Sequence, residues 1–536
     1  MKKNAVKICV PVCVSRASEI AGAMERAAEV GDLIELRLDY VQENERAAAV
    51  NWLREYLNRA DDSIILTLRS SDQGGQASID DEARRSFWRS LADLPTNVFA
   101  DLELDLVNDF ARADQTTALD WRRVICSHHD FKGVPADLED LYERMAATPA
   151  RVVKIAVQAN DAMACIPIFR LLDRAQREAR EMIALAMGAA GIMTRILGPS
   201  RGSFLTYGSL DDESATAPGQ LTARELREVY RIDRIDRETG IFGIIGNPVS
   251  HSLSPHIHNA AFEAAKLNAV YIPFEVGDAN EFIRRMVQPR SREIDWNLRG
   301  LSVTAPHKLT VMNRLDWIEP SAKEMRAVNT IVVRDDELHG YNTDAIGFIS
   351  PLLEKFGSLK HARCGIIGAG GAARAALWAL NSEDAQVTLF ARDPAFAEFF
   401  ARQFNAECKS IAGASFNGFE VVINATPLGT CGERENETPV TAEQLRGVRL
   451  AYDLVYNPLE TRFLREARAA GCETLSGLEM LIAQAVEQFK LWTGREPDAE
   501  VMRAAALRKL VRYSLPSVSV KARQSAFPSP FGRGLG

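Results

Sequence analysis

Val152-Val153-Lys154-Ile155-Ala156-Val157 is a strand-length apolar run with a lysine near its centre. Burying a lone ammonium in such a strand costs more than packing returns, so chemistry rather than packing places the charge. Working outward, similar runs recur near 8–14, 33–38, 64–68, 98–104, 123–127, 182–187 and 203–207, which with 151–157 makes eight. Most segments between them, such as 18–30, 78–92 and 160–178, carry helical apolar spacing, with Ser18 and Ser78 as expected N-caps. Eight strands alternating with helices over roughly 230 residues is the count of a (β/α)8 barrel; spacing alone leaves an open doubly wound sheet as the alternative.

The polar residues within the runs carry the chemistry. Glu35 and Arg37 lie two apart on one strand and share a face. Arg69, His129, Lys154 and Arg195 each sit in or just after a different strand, positions that a barrel gathers at its C-terminal rim. Burial should lower the Lys154 pKa toward a neutral amine, able to attack a ketone and form a Schiff base. His129 is placed to move the proton α to that imine, and arginines at 37, 69 and 195 suit a carboxylated substrate. The bland alternative is a salt-bridged strand lysine and a capped loop histidine.

A chain of 536 residues is too long for one core and suggests about three or four domains. The net charge of −8, without a Lys/Arg block, argues against nucleic acid as a partner. Eight scattered cysteines with no CxxC pair indicate neither a zinc ribbon nor a disulfide scaffold. With no signal-like or membrane-length apolar segment, the expectation is a cytoplasmic protein that engages no membrane. The first domain is expected over 1–232, and the charged stretch 231–240 reads as a helix end and linker. Alternation restarts at 241, giving a second domain over 241–345, completed by helices within 478–512. A Rossmann-like domain over 346–477 uses strands near 364–367, 386–390, 420–424 and 449–455. The Ser/Pro/Gly-rich tail 514–536 is expected to be disordered.

Gly368-Ala369-Gly370-Gly371-Ala372-Ala373 follows the strand Gly365-Ile366-Ile367 and opens a helix, the context in which backbone N–H groups meet a dinucleotide pyrophosphate. After the next strand comes Ala391-Arg392-Asp393. Arg392 suits a 2′-phosphate and favours NADP over NAD, while Asp393 could oppose it. Lys308 and Asp344 are candidates for handling the proton at a carbonyl that undergoes hydride transfer. His251, His256 and His258 lack clustered carboxylates, so no metal is expected.

The first set of residues resembles the type I 3-dehydroquinate dehydratases over about 5–230. The matching segments are Glu35-Leu36-Arg37-Leu38-Asp39, Thr67-Leu68-Arg69-Ser70, Ser127-His128-His129-Asp130-Phe131, Val153-Lys154-Ile155-Ala156, Met187-Gly188 through Thr194-Arg195, and Ala217-Pro218-Gly219-Gln220. The resemblance implies Lys154 as Schiff-base lysine and His129 as general acid/base, with syn elimination of water. It places Glu35, Arg37, Arg69, Arg195, Thr216 and Gln220 on the substrate. Gln73 stands where the family usually has glutamate, which should alter the His129 proton balance, and Thr216 where serine is common.

The second set resembles shikimate dehydrogenase over about 241–512. It matches in Gly246-Asn247-Pro248-Val249-Ser250-His251-Ser252-Leu253-Ser254-Pro255, Ala327-Val328-Asn329-Thr330, Asn342-Thr343-Asp344, Asn424-Ala425-Thr426-Pro427-Leu428-Gly429, Tyr452 through Pro458, and Gly477 through Ala485. The resemblance implies Lys308 and Asp344 as the catalytic pair, with Ser252, Ser254, Thr304, Asn329, Tyr456 and Gln484 on the substrate. NADP would meet Gly368, Ala369, Gly370, Gly371, Ala372, Ala391, Arg392, Thr426, Leu454 and Gly477. The chain departs from the usual Asn-Val-Thr-Val-Pro-Phe-Lys with Ser302-Val303-Thr304-Ala305-Pro306-His307-Lys308, and has Tyr341 where aspartate is common. His307 could add a charge that titrates near neutrality beside Lys308.

The two resemblances fit one another, because the dehydratase product, 3-dehydroshikimate, is the dehydrogenase substrate. The chain is therefore expected to be a bifunctional enzyme of aromatic amino-acid biosynthesis acting on 3-dehydroquinate and 3-dehydroshikimate/shikimate. The rivals are an active dehydratase joined to a quinate- or NAD-preferring dehydrogenase, and a non-catalytic metabolite sensor.

Overall fold

The computed structural model describes residues 6–57, 63–76, 79–91, 97–112, 119–217 and 219–514. They form two compact units, Met1–Thr343 with Ala485–Pro497, and Asp344–Gln484 with the chain from Asp498 on.

In the first unit, the apolar runs become eight strands: β1 (Ile8–Val12), β2 (Leu33–Arg37), β3 (Ile64–Thr67), β4 (Val98–Glu103), β5 (Val124–Asp130), β6 (Val152–Gln158), β7 (Glu181–Met187) and β8 (Thr206–Tyr207). They pair in parallel in the order β7-β6-β5-β4-β3-β2-β1-β8. A bridge from Met182 to Ser203, with the Phe204 N–H donating to the Met182 carbonyl at 2.7 Å, joins the two ends and makes a barrel rather than an open sheet. The expected caps need correction. Ser18 lies inside the 3-10 turn Ala17–Glu19 ahead of the helix Ile20–Val30, where the Glu19 carboxylate accepts the N–H groups of Ser15 and Arg16. The helix expected over 78–92 runs Asp81–Arg89, capped by Asp80 on the Ala83 N–H; Ser78 lies outside the described residues.

The same unit continues into a sheet of β9 (Gly240–Gly246), β10 (Ala269–Glu275), β11 (Leu298–Val303), β12 (Trp317–Ile318), β13 (Thr330–Arg334) and β14 (Glu337–Tyr341), ordered β10-β9-β11-β13-β14-β12. The charged stretch before it clamps it to the barrel. Buried Arg231 donates to the Asn259 carbonyl at 2.6 Å, and Arg237 and Arg201 both reach Asp173, at 2.6 and 2.9 Å. From the helix Gly477–Thr493, Gln488 and Trp492 bond to β11 and β13, with Gln488 accepting from Ser302 at 2.8 Å and Trp492 donating to the Ile331 carbonyl at 3.0 Å. The last helix, Ala499–Ser514, falls in the second unit, where Arg503 pairs with Glu479. The later part of the Gly477–Thr493 helix thus packs on this sheet.

The second unit is a parallel sheet of β15 (Arg363–Ile367), β16 (Gln386–Ala391), β17 (Glu407–Ser410), β18 (Val421–Asn424), β19 (Leu450–Asp453) and β20 (Glu473–Leu475), ordered β17-β16-β15-β18-β19-β20. The order reverses between β15 and β18, the switch point at which such sheets bind ligands. β17 and β20 escape the sequence reading because they are short, polar edge strands without an apolar run. No described helix is long and apolar enough to cross a membrane.

Candidate active sites

Burial surrounds Lys154 with acceptors. Its ammonium donates to Asp101 Oδ2 and to the Tyr207 hydroxyl, both at 2.8 Å, and lies 3.6 Å from Glu35 Oε1. The charge is thus met by three acceptors within the fold rather than left bare in an apolar strand. Glu35 is held by the Thr67 hydroxyl at 2.6 Å. Arg69 bridges Asp101 and Glu103 at 2.8 and 3.5 Å and donates to Ser127 Oγ at 2.7 Å, and Arg84 pairs with Glu103 behind it. Burial opposes ionisation of Asp101, but Arg69 and Lys154 outweigh it and hold the carboxyl well below its usual range.

His129 is the last residue but one of β5, and its Nδ1 has no hydrogen-bond partner among the described residues. Burial, then the Arg69 and Lys154 charges, push its pKa well below the ordinary value, so at neutral pH it is an uncharged base. Gln73 Oε1 accepts the backbone N–H of His129 at 2.7 Å, so this residue grips the histidine's main chain.

The three arginines differ. Arg37 is engaged in two bonds of 2.8 Å to Asp39, and Arg69 is paired as above. Arg195, in the helix Ile192–Leu197 and 2% exposed, has no ion-pair partner among the described residues, and burial lowers its pKa to about 10. A buried guanidinium without a counter-ion is suited to a substrate carboxylate. Gln220 Oε1 accepts from the N–H and hydroxyl of Thr216 at 2.8 and 3.0 Å. The adjoining Gly219 has φ +69°, and a Cβ there would stand 2.3 Å from the Gly188 carbonyl oxygen, which fixes glycine; Pro218 is outside the described residues.

Asp101, Glu103 and Tyr207 went unremarked in the sequence, and Ser127 was given no role of its own. The signal for the first two was present, since they alternate within an apolar run as Glu35 and Arg37 do.

In the substrate sheet, Ser254 opens the helix Ser254–Ala264 and its N–H donates to Ser252 Oγ at 3.2 Å. Asn329 Oδ1 accepts from the Thr343 N–H and the Thr330 hydroxyl, both at 2.8 Å. Thr304 and half-buried Lys308 lie in the loop after β11, anchored through the Thr304 N–H to the Ile245 carbonyl and the Lys308 carbonyl to the Val328 N–H. Tyr341 packs its ring against Trp317, with centroids 5.3 Å apart. The histidines diverge: His256 lies 3.8 Å from Glu225, while His258 stacks on Tyr271 with its pKa pushed down to about 3 by burial. Among the described residues no group of three His, Cys, Asp or Glu could hold a metal ion.

In the second unit, buried Asp344 begins the helix Asp344–Phe356, Gln484 packs against Gly347 of that helix, and Tyr456 follows β19. A cavity of about 680 Å³ at the sheet's switch point is lined by Gly368, Ala369, Gly370, Ala391, Arg392 and Thr426, among others. Gly368 has φ +116° and would bring a Cβ to 2.9 Å from the Ala425 carbonyl oxygen. Gly370 caps the helix Gly371–Ser382, which contains Gly371 and Ala372. Leu454 and Gly477 approach each other instead, a Gly477 Cβ falling 2.5 Å from the Leu454 carbonyl oxygen. Asp393 Oδ1 accepts the Ala395 N–H at 3.1 Å, so the acid that clouded the reading of the nucleotide is engaged at a helix start beside exposed Arg392.

The type I 3-dehydroquinase family matches residues 8–237, the shikimate dehydrogenase substrate-binding domain 244–331, and the shikimate 5′-dehydrogenase C-terminal domain 477–507. A bifunctional 3-dehydroquinate dehydratase/shikimate dehydrogenase of Arabidopsis thaliana is 33% identical over 93% of this chain and 84% of its own length. The chain belongs to that bifunctional family. A shikimate dehydrogenase (NADP(+)) of Methanocaldococcus jannaschii is 40% identical over 52% of this chain and all of its own length. A crystal structure of a shikimate dehydrogenase in complex with NADP+ covers 52% of this chain and 97% of its own, at 38% identity and a TM-score of 0.49. The chain thus joins a lyase to an oxidoreductase, with two successive reactions of the shikimate pathway in one polypeptide.

Proposed function

We propose that Lys154, after giving up an ammonium proton, forms a Schiff base with the ketone of 3-dehydroquinate, releasing the ketone oxygen as water; neutral His129 takes the proton α to the imine and returns it to the β-hydroxyl, which leaves as water, and a further water hydrolyses the imine and frees the lysine. The observation that carries this reading is the buried Lys154 ammonium among Asp101, Glu35 and Tyr207, on a barrel that also holds Arg195, which has no ion-pair partner among the described residues. Asp101 and Glu35 stabilise the ammonium before attack, and later the iminium that replaces it. Arg195 anchors the carboxylate.

In the dehydrogenase, Lys308 and Asp344 hold and move the proton at the substrate oxygen, while Ser252, Ser254, Thr304, Asn329, Tyr456 and Gln484 orient the carboxylate and hydroxyls. Bound in the second unit, the nicotinamide of NADPH supplies the hydride. Its fit rests on the Gly368 cradle, the helix N-terminus at Gly371 and Arg392, which suits a 2′-phosphate.

Borohydride reduction in the presence of 3-dehydroquinate tests the first assignment. A covalent adduct on the peptide carrying Lys154 is expected; an adduct on another lysine, or none, contradicts it. Lys308→Ala tests the second, with loss of shikimate oxidation and retention of dehydration expected.

A further inference from the structure

The loop bearing Thr304 and Lys308 has no regular structure between β11 and the 3-10 helix Thr310–Arg314, so its anchors set how well those side chains are aimed. Backbone bonds hold its ends, from the Thr304 N–H to the Ile245 carbonyl at 2.9 Å and from the Val328 N–H to the Lys308 carbonyl at 2.8 Å. In the middle, the Ala305 carbonyl accepts the Asn247 N–H at 3.2 Å, and His307 supplies a side-chain anchor. Its ring is buried, 4% exposed, with Nε2 2.6 Å from the Val276 carbonyl oxygen. A carbonyl only accepts, so Nε2 carries the hydrogen, whatever the state of Nδ1. Phenylalanine, common here in the resembling family, could fill the space but could not donate.

Val276 follows β10 and is itself fixed by its N–H to the Gly246 carbonyl at 3.0 Å. The next residue, Gly277, donates its N–H to Asp161 Oδ2 of the barrel at 2.7 Å. Asp161 stands three residues beyond β6, the Lys154 strand, and its Oδ1 caps the turn Ala162–Cys165. The helix Ile192–Leu197, which carries Arg195, also packs on β10.

We propose that His307 is a positioning residue for shikimate dehydrogenation, clamping the Thr304–Lys308 loop to the end of β10, and that the dehydratase barrel forms part of the clamp through Asp161. The inference rests on the assignment of Lys308 and Thr304 to the dehydrogenase site. It makes the dehydrogenase dependent on a residue of the other enzyme.

The test uses the full chain with His307→Phe, His307→Gln and Asp161→Ala, measuring shikimate oxidation and dehydration in parallel. For His307→Phe, kcat/KM for shikimate should fall by about tenfold, the scale of one buried hydrogen bond. The NADP+ KM and the dehydratase rate should stay within about twofold, since neither depends on this bond. Glutamine, whose Nε2 can donate, should restore most of the loss. Asp161→Ala should lower shikimate kcat/KM by about threefold because that bond is partly exposed. His307→Phe equal to wild type, or His307→Gln no better than His307→Phe, overturns the clamp. An unchanged Asp161→Ala dehydrogenase removes the barrel from it. A wild-type chain that oxidises no shikimate overturns the Lys308 assignment and the clamp with it.

Discussion

In the barrel, Lys154, Asp101, Arg69, Glu103 and Arg84 form a continuous buried chain of charges, whereas the nucleotide cavity presents glycines, backbone groups and an exposed Arg392. A buried network is expensive to interrupt, because removing one member leaves its partner charged and desolvated. A surface guanidinium can be lost with little effect beyond the ligand it meets. The charges proposed for dehydration are thus part of the fold's own packing, while the residue proposed to choose the nucleotide is one that the fold does not need.

The largest effect should come from Lys154→Ala. Dehydration should fall by about 10³-fold or more, with shikimate oxidation intact, as expected for loss of a covalent nucleophile. Parallel loss of both activities would mean that the two sites do not fail independently. Next is Arg195→Met, which should raise the KM for 3-dehydroquinate by about 100-fold, the scale of a charge-assisted bidentate contact. Unlike the paired arginines, Arg195 lacks a counter-ion among the described residues, so the same variant should leave the thermal midpoint unchanged or higher. A clear drop in the midpoint would show that Arg195 is structural.

Arg392→Ala sharpens the other side of the comparison. The KM for NADP+ should rise by about tenfold while that for NAD changes little, for loss of one exposed charge contact to phosphate. Equal changes for both nucleotides would take Arg392 off the 2′-phosphate.

A separate effect, on stability alone, concerns Asp453, buried at the end of β19. Burial raises its pKa from 3.8 to about 6, against the lowering contributed by Thr461, Val455 and Asn424. The folded protein therefore binds this proton more tightly than the unfolded chain does. Its contribution is present below pH about 4 and is lost as pH rises through about 6, weakening the fold by up to roughly 3 kcal/mol. In denaturant titrations across that window, Asp453→Asn should flatten the slope, and an unchanged slope would remove Asp453 as its source.

Most of the architecture was legible because the barrel strands are apolar runs interrupted by a few charges that packing cannot explain. Lys154 was found as an anomaly of that kind; Arg69 follows β3, and Arg195, expected in or just after a strand, lies in the helix Ile192–Leu197 beyond β7. Asp101 was missed although it breaks β4 in the same way, since its role emerges only when β4 and β6 bring it to 2.8 Å from Lys154. Tyr207 was hidden for the opposite reason: a tyrosine ending a strand is unremarkable until its hydroxyl meets the ammonium. His307 stood out in the sequence only as a departure beside Lys308; its contact with Val276, remote in sequence, appears only in three dimensions. β17 and β20 lacked apolar periodicity because edge strands need little of it.

The most direct test is to supply purified full-length protein with 3-dehydroquinate and NADPH and to follow enone absorbance and nucleotide consumption together, with NADH in parallel. The account predicts enone formation followed by NADPH loss, with NADH consumed far more slowly. Enone accumulation without loss of either nucleotide would contradict a single chain that carries 3-dehydroquinate through to shikimate.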